Sequence, residues 1–139
     1  MRRILLGHDR EVANWVSDRL GGKDDFGDGA VSIGVADETG LIAGIVFNNY
    51  TRSSISIHVA ATDKHWMSKD LLRLTFAYPF KQLKVNRVTG LVRVDNPEAI
   101  KFNKRLGFKP EGVVRCGDDD GTDLILMGML PSECRWLEI

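Results

Sequence analysis

Cysteine is scarce in this chain: there are two among 139 residues, Cys116 and Cys134. Neither belongs to a CxxC pair or shows metal-ligand spacing, which argues against a disulfide scaffold, a redox pair and a thiolate metal site. Reduced thiols in a reducing, cytoplasmic compartment are expected, with no metal. Excess charge of one sign is also missing, since 19 basic residues balance 19 acidic ones. The pI is 6.8. No global field attracts nucleic acid or an acidic membrane, so neither is an expected partner. Long apolar runs are absent too. Nothing approaches the ~20 residues of a membrane span, and Ile4-Leu5-Leu6 after Met1-Arg2-Arg3 is too short for a signal-peptide core. No internal repeat, low-complexity tract or linker divides the chain. The expectation is a single domain over 1–139, large enough to bury roughly two-thirds of its unfolded surface without a disulfide or a metal.

The chain is organised around residues 53–80. Ile55, Ile57 and Val59 alternate with Ser54, Ser56 and His58, the period of a half-buried strand. From Ser68 the period becomes helical, with Leu71, Leu72, Phe76, Phe80 and Leu83 on one stripe. Between them lies Ala61-Thr62-Asp63-Lys64-His65-Trp66-Met67. A loop that opens a helix presents unpaired N–H groups and the positive end of the helix dipole, which suits an anion. Lys64 and Lys69 flank it, and Ser68 adds a hydroxyl or caps the helix. Two readings are open: a seat for the phosphates of a nucleotide-like cofactor, or an ordinary strand-to-helix connection.

The remaining elements follow from similar signals. Residues 4–6 read as a short strand. Residues 8–20 read as a helix with Val12, Trp15, Val16 and Leu20 on its inner face, ended by Gly21-Gly22. His8 reads as a surface residue. Lys23 to Gly29 is a Gly- and Asp-rich loop that lines an acceptor site or simply connects. Strands over 30–36 and 41–50 join through Asp37-Glu38-Thr39-Gly40, and with the strand from Ser53 they form a meander. Pro79 should kink or end the second helix by about Leu83. A strand over 86–93 precedes a third helix with Asn96 as N-cap, Pro97 in its first turn and Gly107 as left-handed C-cap. Strands over 109–115 and 123–130 close the sheet around an exposed loop. Its Asp118-Asp119-Asp120 reads as a solvated run rather than a cation cage. Trp136 and Leu137 pack back on the sheet or form a dimer contact.

The run from Asn96 to Gly112, NPEAIKFNKRLGFKPEG, resembles the N-x-x-A…G-F-x-x-E-G signature of the GNAT superfamily of N-acetyltransferases. In flavour it is similar to the ribosomal-protein-acetylating branch and to small phage-borne members. The resemblance covers about residues 30–130. It implies an α+β fold: a mostly antiparallel sheet of six to seven strands, splayed between the fourth and fifth, flanked by three to four helices. It also implies acetyl-CoA in the gap and an acceptor amine, in a protein or a small molecule, as the second substrate. Transferred to this chain, Val59 and Ala60 would offer backbone groups to the pantetheine arm. Lys64, His65, Trp66, Met67, Ser68 and Lys69 would hold the pyrophosphate. Asn96 would reach the arm, bordered by Phe102 and Lys104. Each also has a plain reading, with Asn96 as a cap, Phe102 as core and Lys104 as surface.

Two positions depart from the family pattern. Its pyrophosphate loop reads Q/R-x-x-G-x-G/A, whereas this chain has Asp63 to Ser68 with Trp66 at the first glycine position, where a side chain crowds a phosphate. The tyrosine that many members use as general acid is replaced by Asn103, which cannot supply a proton. The expected reaction is direct attack of the amine on the thioester, with a backbone N–H near Val59 stabilising the developing oxyanion. His58 is the candidate base, since an alkyl ammonium with a pKa near ~10.4 must first lose a proton. It reads equally as a structural histidine. The alternative is a catalytically silent module of the same fold that binds a protein partner.

Overall fold

The computed structural model describes residues 1–22, 26–62 and 66–137. Its elements run β1 (Arg3–Leu6), α1 (Asp9–Arg19), β2 (Val31–Asp37), β3 (Gly40–Asn48), β4 (Ser54–Ala61), α2 (Lys69–Ala77), β5 (Arg87–Arg93), α3 (Pro97–Leu106), β6 (Lys109–Val114) and β7 (Leu124–Met129). The seven strands form one sheet in the order β1-β2-β3-β4-β5-β7-β6, with every neighbouring pair antiparallel except β4 and β5. This is the expected α+β arrangement, with three α-helices against the sheet. No helix among the described residues is long and apolar enough to cross a membrane.

Alternation on the central strands gives the sheet two apolar faces. Ile45, Phe47, Ile55, Ile57, Val88, Met127 and Met129 face one side, where Leu71, Leu72 and Phe76 of α2 and Leu106 of α3 cover them. Burying a side chain such as Phe47 or Phe76 contributes about 1.5–3 kcal/mol. On the opposite side Val46 and Ala60 meet Val12 and Val16 of α1, with Phe26 and Ala30 closing that smaller cluster. Leu20, expected on the inner face of α1, is exposed, because the helix ends at Arg19 and Leu20 already belongs to its cap. Gly21 and Gly22 take the positive φ values of +112° and +73° that stop it.

Local chemistry sets the other helix ends. Ser68 Oγ accepts from Leu71 N at 3.1 Å and starts α2. Pro79 cannot donate, so the α-helical ladder stops at Ala77 and residues Tyr78–Gln82 form a π turn, closed by Leu83 N to Tyr78 O at 3.0 Å. Asn96 Oδ1 accepts from Ala99 N at 3.2 Å, Pro97 opens α3, and Gly107 at φ +117° ends it. Phe108 N then bonds Asn103 O at 3.0 Å and the Phe108 ring is buried, which completes the C-terminal cap. The tail turns back on the core, where Trp136 Nε1 donates to Leu106 O at 2.8 Å. Cys116 is exposed and Cys134 buried, and no disulfide joins them.

Candidate functional site

The parallel ladder between β4 and β5 is short. It pairs Ser54 with Arg87, Ile55 with Val88 and Ser56 with Thr89, and goes no further, although β4 continues to Ala61 and β5 to Arg93. The two strands therefore diverge into a wedge. Backbone direction within it follows from hydrogen bonds at either end of β4. Thr62 N donates to Ile42 O on the β3 side, and Ser53 O accepts from Asn86 N on the β5 side. Strand alternation between these points turns the backbone groups of Ile57, Val59 and Ala61 toward β5, into the wedge. Those of His58 and Ala60 pair with β3. Of the two expected backbone contributors, the structure thus aims Val59 at the gap and turns the N–H of Ala60 away from it.

His58 lies two residues beyond the last rung, opposite Val46 on the face covered by α1. Its Nε2 is 2.8 Å from Asn48 Oδ1, and its ring packs on Phe26 with centroids 4.7 Å apart. Asn48 Nδ2 in turn donates to Phe26 O at 3.4 Å. Phe26 also lines a cleft of about 360 Å³ between α1 and residues 26–30, bordered by Asp9, Arg10, Asn14 and Asp28. Phe26 therefore links the cleft to His58 and Asn48. A second, more apolar hollow of about 530 Å³ lies between β1–β2 and the end of α2 and shares Asp9 with the cleft.

Ser68 and Lys69 stand at the start of α2, both exposed, with Met67 half-buried against the core. Lys64 and His65 fall outside the described residues. Trp66 is 5% exposed and belongs to the main core cluster, its ring 6.3 Å from that of Phe102. Its bulk is thus taken inward, and what it presents to the loop surface is main chain. Phe102 and Lys104 sit on α3, the first half-buried against the core and the second exposed in the last turn. Asn96 is exposed with its side-chain oxygen engaged by the cap. Val59, Trp66 and Phe102 thus share one core cluster, Ser68 is exposed at the start of α2, and His58 lies on the opposite face of the sheet against Phe26.

The acidic loop between β6 and β7 is exposed but not merely solvated. Arg93, at the splayed end of β5, bonds Asp118 at 2.6 Å, Asp95 at 2.9 Å and Asp120 at 3.0 Å. Hydrogen bonds from its guanidinium hold all three carboxyls below their ordinary value, and the carboxylates raise the arginine in return. This contact joins residues 25 and 27 positions apart. Sequence reading missed it, as it missed Asn48 and Phe26. The one available signal was a lone aromatic inside a loop rich in Gly and Asp.

No protein-family model and no curated protein sequence matches this chain. Solved structures do. A spermidine/spermine N-acetyltransferase, SpeG from Vibrio cholerae, superposes with a TM-score of 0.73 at 16% identity, over 94% of this chain and 93% of that one. Ard1 from Thermoplasma volcanium gives a TM-score of 0.71 at 16% identity, over 93% and 97%. A probable acetyltransferase gives 0.64 at 22% identity, over 75% of this chain and 63% of that chain, so less than two-thirds of its length is spanned. Together with the splayed parallel pair and the capped third helix, these likenesses establish that the chain has the GNAT acetyltransferase fold.

Proposed function

We propose that the protein is an acetyl-CoA-dependent N-acetyltransferase, moving an acetyl group to an acceptor amine by direct attack in a ternary complex. The observation that carries this reading is the ladder that stops at Ser56 and Thr89, with the Val59 N–H turned into the gap beyond it. A pantetheine arm is a slender chain with amide groups, and it fits a wedge whose walls offer unpaired strand backbone. The N-terminus of α2, with its Ser68 cap and Lys69 both exposed, supports a seat for the phosphates. When bound, acetyl-CoA supplies an activated thioester carbonyl.

The rest is the work of this chain's own residues. Val59 N–H is placed to donate to the thioester oxygen as negative charge develops there. His58 takes a proton from the acceptor ammonium, which leaves a neutral amine as nucleophile. The cleft beside Phe26 positions the acceptor, and its borders include Asp9 and Asp28, suited to a cationic amine. Holding the two substrates in line supplies much of the rate. Asn103, at the position of the usual tyrosine acid, cannot supply a proton, so the leaving thiolate would be protonated by solvent, which would also take the second proton from the new amide nitrogen.

The test is an acetylation assay against a panel of polyamines, peptide amino termini, lysine peptides and aminoglycosides, read by mass spectrometry. Polyamines belong in it because spermidine N-acetyltransferases are among the similar structures. Replacing His58 with Ala should lower kcat about 10²-fold and flatten the pH profile while acetyl-CoA affinity holds. An unaltered pH–rate profile removes His58 from the mechanism. No thermal shift at millimolar acetyl-CoA, with no product, would leave only the silent module.

A further inference from the structure

The hollow at the C-terminal end of α2 is built from two apolar surfaces. Leu6 pairs with Ile33 across β1 and β2, and Val31 lies two residues away on the same side of the sheet, so the three form a floor. Leu74, Tyr78 and Lys81 recur at helical spacing, so α2 and the π turn beyond it supply one wall. The space between them, about 530 Å³, is of the size that small molecules occupy. Its polar groups are incompletely used by the fold. Asp9 Oδ1 accepts from Ser32 N at 2.8 Å and from Ser32 Oγ at 3.3 Å, which leaves Oδ2 open. Among the described residues the Tyr78 hydroxyl makes no hydrogen bond and the Lys81 ammonium no ion pair. Burial raises the Tyr78 phenol above its ordinary value and the negative charge of Asp9 adds to the rise, so that carboxylate is felt inside the hollow.

We propose that this hollow binds a free amino acid with an apolar side chain, its carboxylate on Lys81, its ammonium on Asp9 and its side chain over Leu6, Val31 and Ile33. The pair of opposite charges selects the class. An anion alone would meet Asp9 and a cation alone would meet Lys81, each with a like charge against it. A zwitterion satisfies both. Covering the floor adds to the fit, since Leu6 is 58% exposed without an occupant. The Tyr78 hydroxyl, on the same wall as Lys81, is a further donor for the carboxylate. The site does not depend on the acetyl-transfer reading. Nine residues of α2, about 13 Å of helix, separate the hollow from the Ser68 end.

The experiment is a backbone-amide NMR titration of the wild type, Lys81→Met and Asp9→Asn with three probes. L-Phenylalanine carries both charges, phenethylamine lacks the carboxylate and hydrocinnamate lacks the ammonium. Phenylalanine should shift the amides of Leu6, Ile33 and Gln82 saturably, and each analogue should bind the wild type about fivefold more weakly. Lys81→Met should abolish the preference over phenethylamine and keep that over hydrocinnamate. Asp9→Asn retains an acceptor for Ser32 and should do the reverse. Lys81 is exposed, so its variant should fold and give the decisive comparison. Acetyl-CoA should leave the phenylalanine shifts in place. The proposal is overturned by any of four results: no saturable shift at millimolar phenylalanine, an analogue that binds the wild type as tightly, shifts confined to Ala13 and Gly27 in the cleft beside α1, or displacement by acetyl-CoA.

Discussion

Gly44 lies directly beneath Val16: a Cβ at Gly44 would stand 2.5 Å from Val16 Cγ2 and 2.9 Å from Val12 Cγ1. Its cross-strand partner Gly34 is under the same helix, where an added Cβ would stand 2.8 Å from Val12 Cγ2. Two bare positions side by side let α1 settle onto the sheet, and both valines are fully buried there. The seating matters because α1 also supplies one wall of the cleft. Gly44→Ala should push the helix outward at a cost of about 1–3 kcal/mol. In a domain of this size that lowers Tm by roughly 3–10 °C. On the proposed reading, the KM of the acceptor should rise while acetyl-CoA affinity holds. A Tm equal to wild type would mean that α1 is not seated against these glycines.

Arg93 makes stability depend on acid in a defined direction. Asp95, Asp118 and Asp120 have folded-state pKa values lowered from 3.8, chiefly by hydrogen bonds from this arginine. A lowered folded value means that the stabilising contribution is present above the unfolded pKa and is lost as pH falls through the folded one. The window therefore opens at about pH 4 and extends downward. All three groups are at the surface, so the effect is modest and screened by salt. Arg93→Gln should leave the urea midpoint at neutral pH slightly lower and make its fall on acidification shallower than in the wild type. Parallel curves for the two proteins would show that the cluster contributes nothing.

Capping and ligand contact can be separated at Asn96. Its side-chain oxygen caps α3 through Ala99 N, so Asn96→Ala should cost about 1 kcal/mol of stability. Asp is an equally good cap, and Asn96→Asp should keep the wild-type Tm. If the side chain also touches the pantetheine arm, both variants should weaken acetyl-CoA binding, the aspartate without any loss of stability. Acetyl-CoA affinity that is unchanged in Asn96→Asp assigns the residue to the helix alone. Isothermal titration beside thermal melts distinguishes the cases.

Which parts of this molecule were legible in advance follows from the range of the contacts involved. The third helix could be read almost residue by residue, because Asn96, Pro97, Gly107 and Phe108 act on the chain within one or two turns. The alternation of Ser54 to Val59 gave β4 and its two faces for the same reason. The Arg93 cluster was read as a solvated acidic run, because its cation comes from a strand 25 residues away. The Asn48–His58 bond needed the register of β3 against β4, which no local pattern encodes. The π turn at Tyr78–Gln82 was foreseen only as a kink, since proline fixes where the ladder fails and not how it closes.

Trp66 tests whether departure from the family loop is a defect or a substitution. A glycine at this position lets backbone approach a phosphate, which would make Trp66→Gly an improvement on pattern alone. The structure argues the reverse. The indole is 5% exposed and sits in the core near Phe102, so it fills space between the start of α2 and α3. Removing it leaves a cavity that costs about 3–5 kcal/mol, and the main chain it anchors leads directly into the Ser68 cap. Trp66→Gly should therefore lose both stability and acetyl-CoA affinity, and Trp66→Phe should lose less of each. Tighter acetyl-CoA binding by Trp66→Gly would show that the ring obstructs the loop instead of supporting it.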